Sequence, residues 1–253
     1  MTWTVLASES LGVRSFATWI QDARVLIDPS VALAPRRQKY PPHPRELQML
    51  RERWEVIVQH LRRARTVVIT HYHHDHQVPY LPLWLDREAR VWMLDPRGLN
   101  ARQQRRAAWL QEALERRGIP YTLVSCDEHH AEKGVWFSGP VPHGKDGAHG
   151  LVTMVGITAG GERLLYTSDI QGPTHPRHVE AIVKFHPTVL LLDLPPTYLR
   201  THGHLPEEVW THLEQVFTTC TELHTLVVDH HALRDPAWHQ WWAALEARAA
   251  TYG

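Results

Sequence analysis

Cysteine is almost absent: the 253 residues contain two, Cys126 and Cys220, and they form no CxxC pair. A disulfide scaffold and a cysteine-based zinc site are therefore not expected, and each thiol follows a predicted strand or helix that could bury it. Excess charge is also lacking, because Lys+Arg and Asp+Glu both number 27, although most of the basic residues are Arg. No global field then recruits nucleic acid or anionic membrane, which leaves only a local basic patch. Long apolar runs are missing too. TVVIT and TVLLLDL are far shorter than the roughly 18 residues of a membrane span, so no membrane partner is expected. The start MTWTVLASESLGVRS carries no basic n-region, and Glu9 and Arg14 interrupt any apolar h-region, so a cytoplasmic protein is expected. No fixed-period repeat, low-complexity tract or Gly/Ser linker marks a boundary, and residues 1–253 read as a single domain.

What is present is apolar content for a real core, at 43% hydrophobic residues, and an abundance of His, 20 in all and clustered. TWTVLAS, LGVRSFATWI and RVLID read as strands, the last closed by Asp28-Pro29. From Pro44, the positions Leu47, Leu50, Trp54, Ile57 and Leu61 follow helical spacing. TVVIT and RVWML then read as strands, and Asn100 caps a helix that Gly118 ends. YTLVSC, GVWFS, LVTMVGITA and RLLYTS read as an antiparallel group, with Gly160-Gly161 as a turn. The final third alternates: a helix near 176–186, TVLLLD, a helix near 206–219, TLVVD, and a helix bearing Trp238, Trp241 and Trp242 that reads as packing or a dimer face. This pattern predicts an α/β fold, two mixed sheets flanked by helix layers.

Directly after TVVIT stands His71-Tyr72-His73-His74-Asp75-His76. In extended chain an i, i+2 pair points two imidazoles the same way, and a turn brings Asp75 and His76 round to a second position. Imidazole and carboxylate hold zinc, manganese or iron, and backbone just beyond a buried strand holds them rigidly. The bland alternative is a solvated His-rich loop or a nucleic-acid contact.

The pattern H-x-H-x-D-H after an apolar strand resembles the signature of the metallo-β-lactamase superfamily, whose fold is an αββα sandwich. The resemblance implies a part for several other positions. Asp28 in VLIDPS looks like the aspartate that orders the metal loop. His143 in SGPVPHG fits the third His, with His149 as its competitor. Asp169 in LLYTSD matches a bridging Asp, and TLVVDHH offers His230 or, as alternative, His231. By this likeness His71, His73 and His143 would hold one ion, Asp75, His76 and His230 another, with Asp169 between. Zinc is the first expectation, with manganese or iron as alternatives. Two such ions would generate a bridging hydroxide, which Asp75 would orient, for attack on a phosphodiester, lactone or thioester. DPSVALAPRR, PPHP and DHHALRD further resemble an uncharacterised archaeal and bacterial branch of the superfamily.

Other candidates rest on position alone. Arg36 and Arg37 follow Asp28 and could grip an anionic substrate; His204, or His202, could protonate a leaving group; Tyr198, Tyr80 and Trp84 could wall a pocket. Two further enzyme readings accompany the hydrolase: a mononuclear iron dioxygenase on the same fold, and a small nuclease favoured by the Arg-rich helices but opposed by their interleaved Glu. A non-catalytic module around a structural metal is disfavoured by the lack of Cys in the set. The expected partner is a small-molecule or nucleotide-like ester; nucleic acid and a homo-oligomer stay open.

Overall fold

The computed structural model describes residues 1–34, 40–130, 134–199, 201 and 203–252, and the chain divides into two compact units, Met1–Ser125 and Cys126–Gly253. Arg36, Arg37 and His202 lie outside the described residues.

In the N-terminal unit a six-stranded sheet runs in sequence order: β1 (Trp3–Ser8), β2 (Phe16–Ile20), β3 (Val25–Ile27), β4 (Thr66–Ile69), β5 (Arg90–Leu94) and β6 (Tyr121–Val124). The first three strands pair antiparallel; β3 to β6 pair in parallel. Two helices interrupt the parallel half, α1 (Pro44–Leu61) and α2 (Ala101–Arg117). The start of α1 is fixed by a capping box: His43 accepts from the Arg45 amide, Glu46 returns a bond to the His43 amide, and Pro44 needs no partner for its nitrogen. Ile57 and Leu61 are buried, whereas Leu47 on the first turn stays exposed. Asn100 caps α2 through the Gln103 amide, and Gly118 closes it in the left-handed region, as the sequence predicts.

In the C-terminal unit the sheet order is β12-β11-β10-β9-β8-β7, with β7 (Asp127–His130), β8 (Val135–Pro142), β9 (Leu151–Ala159), β10 (Glu162–Tyr166), β11 (Val189–Asp193) and β12 (Thr225–Asp229). Here β7 to β10 are antiparallel and β10 to β12 parallel. Gly160 and Gly161 both take positive φ, which a two-residue hairpin turn between β9 and β10 requires. The helices are α3 (Pro176–Phe185), α4 (Glu207–Thr219) and α5 (Trp238–Ala249). Their apolar stripes, Val179 and Ile182, Val209 and Leu213, Trp241 and Leu245, join Leu165, Leu190 and Leu192 of the sheet in one core. Trp238 stays exposed.

The fold class is the one expected, two mixed sheets each flanked by helices. Several details differ. β6 belongs to the first sheet and runs parallel, because α2 makes a crossover from β5 and a crossover returns a strand in parallel. β2 begins only at Phe16, since Glu9–Leu11 forms a 3-10 turn. β7 is an edge strand, DEHH, with no apolar alternation for a sequence reading to detect. β8 runs on through Pro140 because the register shifts between Phe137 and Pro140. Cys220 is buried as expected, but Cys126 is exposed, in the link that precedes β7.

What matters for chemistry is where the parallel halves end. β3 and β4 deliver Asp28 and His71 at adjacent carboxyl ends, and β10, β11 and β12 deliver Asp169, Asp193 and His230 in the same way. Side chains at neighbouring strand ends converge without any loop having to hold them.

Candidate metal centre

In the N-terminal unit the cluster is built around Asp28. Its backbone takes positive φ (48°), and its amide donates to the Val68 carbonyl at 2.9 Å, extending the β3–β4 ladder by one bond. The carboxylate is fully buried and accepts from the Thr70 amide (2.8 Å), the Thr70 hydroxyl (2.6 Å) and His76 Nδ1 (2.8 Å). A carboxylate on Nδ1 fixes the tautomer and turns Nε2 outward as a ligand. Ligand atoms of Asp28, His71 and His76 lie within 4.8 Å of one another.

Alternation after β4 sorts the motif. Tyr72 points inward, its hydroxyl donating to the Leu94 carbonyl, while His71 and His73 flank it with ring centroids 4.7 Å apart. A turn then closes at His73, whose carbonyl accepts from the amides of His76 (3.1 Å) and Gln77 (3.0 Å), and brings the His76 ring to 4.2 Å from that of His71. The Ser30 hydroxyl pins the far side through the His74 carbonyl. Asp75 is half-buried and has a ligand atom within 4.8 Å of one on His76. Hence His71, His73, Asp75, His76 and Asp28 lie side by side at the ends of β3 and β4.

The C-terminal unit gathers its cluster on Asp169, which is 1% exposed. Nε2 of His143 and Nε2 of His230 each stand 3.4 Å from its carboxylate oxygens, and Nε2 of His231 stands at 4.0 Å. Hydrogen bonds of this kind usually measure 2.7–3.2 Å. Two donors held at roughly 2.1 Å on one tetrahedral ion stand about 3.4 Å apart. The spacing around Asp169 is thus that of donors sharing an ion, and imidazole with carboxylate is the donor chemistry of zinc, manganese or iron sites.

His231 has its own carboxylate. Asp193, the last residue of β11, accepts from the His231 amide (3.0 Å) and from His231 Nδ1 (2.9 Å), and from the Gln171 amide at 3.0 Å. This repeats the Asp28–His76 arrangement. Burial pushes the Asp193 carboxyl up to about 8, with Asp169 adding to the shift and His230 opposing it. Burial, reinforced by Arg234 and His230, holds the His231 imidazole well below its usual value, so it stays neutral and able to bind an ion. On His230 burial is the strongest single influence and acts downward, but the carboxylates of Asp169 and Asp193 together make the net shift upward. His230 (φ 74°), Ser168 (φ 57°) and Gln171 (φ 53°) are non-glycine residues in the left-handed region, all at strand ends of this cluster.

His143 is buried and its competitor His149 exposed, with ring centroids 5.3 Å apart. Among the described residues neither His149 nor His204, which is also exposed, joins a ligand group. His230 and His231 both do. Tyr198 is half-buried on a 3-10 turn that Asp235 ties down through the Thr197 hydroxyl and the Gly203 amide. Tyr80 is exposed and Trp84 half-buried, both edge-on to Trp54. The residue that sequence reasoning assigned no role is Asp193; its signal is that VLLLD ends a buried strand on Asp, as VLID does with Asp28.

No family model matches the chain. A crystal structure of isothiocyanate hydrolase from Delia radicum gut bacteria is similar in fold, with TM-score 0.53 and 16% identity over 86% of this chain and 82% of that one. That of a possible metal-dependent hydrolase from Veillonella parvula also has TM-score 0.53, at 13% identity over 92% and 91%. In sequence the chain is 34% identical, over 238 residues, to a UPF0282 protein of Korarchaeum cryptofilum, covering 92% of this chain and 79% of the relative. At that identity over that share of both proteins, the chain belongs to the UPF0282 family.

Proposed function

We propose that the protein is a metal-dependent hydrolase that uses metal-activated water on an ester-type bond, a phosphodiester, lactone or thioester. The observation that carries this reading is the 3.4 Å spacing of His143 and His230 about Asp169. In this reading two divalent ions, zinc first and manganese or iron as alternatives, would be held by His71, His73 and His143 and by Asp75, His76 and His230, with Asp169 shared. His231 is the alternative to His230, and residues 1–253 act as a single cytoplasmic domain. Two such ions supply a nucleophile at neutral pH and a clamp for the developing negative charge.

The protein's own residues then do the rest. Asp28 and Asp193 hold the imidazoles of His76 and His231 in one tautomer, so that no reorientation accompanies reaction. Asp75 orients the attacking hydroxide, and His204 donates a proton to the leaving group. Arg36, Arg37 and Tyr198 contact the substrate; changing both arginines to Ala raises KM for a phosphorylated substrate and leaves metal content unchanged.

Elemental analysis of tag-free protein tests the reading. About two zinc or manganese ions per chain are expected. One iron per chain moves the assignment to a mononuclear dioxygenase, and no metal after reconstitution overturns it.

A further inference from the structure

Helix α2 carries a face that the proposed chemistry does not use. At 100° per residue, Arg102, Arg105, Arg106, Trp109, Arg116 and Arg117 fall within an arc of about 120°, with Ala113 among them. Gln103, Ala107, Leu110 and Leu114 form the buried stripe along one edge of this arc, and Glu112 and Glu115 lie beyond its other edge, Glu112 within about 20° of Arg105. Folding therefore gathers the arginines on one face, with Glu112 at its border.

Among the described residues Arg116 pairs with Glu112 at 2.7 Å, and Arg106 feels the Asp75 carboxylate. Arg102, Arg105 and Arg117 are exposed and have no carboxylate partner among the described residues. Arg105 lies over the ring of Trp109, which is 47% exposed, at 5.8 Å from its centroid. At one end the face meets the His-rich motif, where Arg106 donates to the Tyr72 carbonyl at 3.1 Å. At the other it borders a cleft of about 360 Å³ lined by Tyr80, Leu83, Arg116 and Arg117. From Arg106 to Arg116 is about 15 Å along the helix axis.

We propose that this face binds single-stranded nucleic acid and leads it to the metal motif, with phosphates on Arg102, Arg105 and Arg117 and unstacked bases against Trp109 and Tyr80. The inference rests on the hydrolase reading for what happens at the motif, but not for binding itself. Cations alternating with exposed aromatic faces are what a single strand recognises, because its bases are free to stack. A duplex keeps its bases stacked. A lipid surface would need an apolar face to insert, and the apolar face of α2 is already buried in the core.

Fluorescence anisotropy of the full chain with a labelled oligouridylate of about a dozen nucleotides tests the proposal, with and without EDTA. Binding is expected in both conditions, weakening as salt rises. The variant Arg102→Ala/Arg105→Ala/Arg117→Ala should lose about tenfold or more in affinity, and its salt slope should fall by about two. Trp109→Ala should lose about fivefold or more on the single strand and little on a duplex of the same length. Unchanged melting temperature and metal content in these variants exclude misfolding. No binding at low salt, an undiminished triple variant, tighter binding to the duplex, or preference for phosphatidylglycerol vesicles would each overturn it. Loss of oligonucleotide binding in a protein that still holds its metal rejects this inference alone. A protein that binds the strand but never takes up metal rejects the hydrolase reading alone.

Discussion

The two ligand clusters reach similar chemistry by opposite means. In the N-terminal unit His71, His73, Asp75 and His76 come from one turn of six residues, and only Asp28 arrives from another strand end. In the C-terminal unit each ligand comes from a different place, His143 after β8, Asp169 after β10 and the His pair after β12. The first cluster is shaped by a local turn and the second by strand register, since Asp193 pairs with Asp229 across β11–β12. A local motif can be lost to a point change in one loop; a dispersed one depends on the sheet. The backbone reflects this, with one positive-φ residue at the N-terminal cluster, Asp28, and three at the C-terminal one, Ser168, Gln171 and His230.

The largest expected effect is at Asp169, the carboxylate proposed to serve both ions. Asp169→Ala removes the carboxylate on which His143 and His230 converge and should lower binding of both ions, whereas His73→Ala should lose about one of two. Metal content per chain reads the difference directly. Full activity in either variant would refute the ligand assignment.

Next in size is a matched pair of changes to the orienting carboxylates. Asp28→Asn and Asp193→Asn keep shape and replace a carboxyl oxygen by an amide nitrogen behind His76 and His231, and each should cost about 10–100-fold in metal affinity. Titration against a chelator checks both. Equal losses would establish Asp193 as the counterpart of Asp28. A loss at Asp28 alone would make His231 a bystander and His230 the ligand.

That contrast also explains what the sequence could reveal. The N-terminal cluster was legible because its spacing is covalent: strand alternation and a turn bring His71, His73 and His76 together whatever else the chain does. Asp28 and Asp169 were legible because each follows an apolar strand whose end is plain in the residues. The choice between His143 and His149 was not, since both sit in a Gly-rich loop and only the folded chain buries His143 against Asp169. Asp193 went without a role because its partner is 38 residues away, across a register that only the folded sheet defines. β6 was misplaced for the same reason. Its residues specify a strand, but the crossover helix before it decides which sheet it joins. The basic face of α2 was hidden by reading charge along the chain instead of around the helix.

The smallest effect concerns support behind the ligands. In the N-terminal unit, among the described residues, the fully buried imidazoles are His71 and His76, both in the cluster; the C-terminal unit also buries His178 on α3, whose Nε2 bonds the Pro142 carbonyl at 2.8 Å beside His143. Burial pulls this imidazole down to about 4, the Pro142 carbonyl opposing. Below pH 6.5 the unfolded chain takes up a proton at His178 while the native state does not until about pH 4. Stability contributed by the neutral form is therefore full above pH 6.5 and lost as pH falls through that window, by at most about 3 kcal/mol. His178→Gln keeps a donor for the Pro142 carbonyl and cannot titrate, so it should flatten the fall. Urea midpoints between pH 7 and pH 4 measure it, and a parallel fall in variant and wild type would assign the acid sensitivity to other groups.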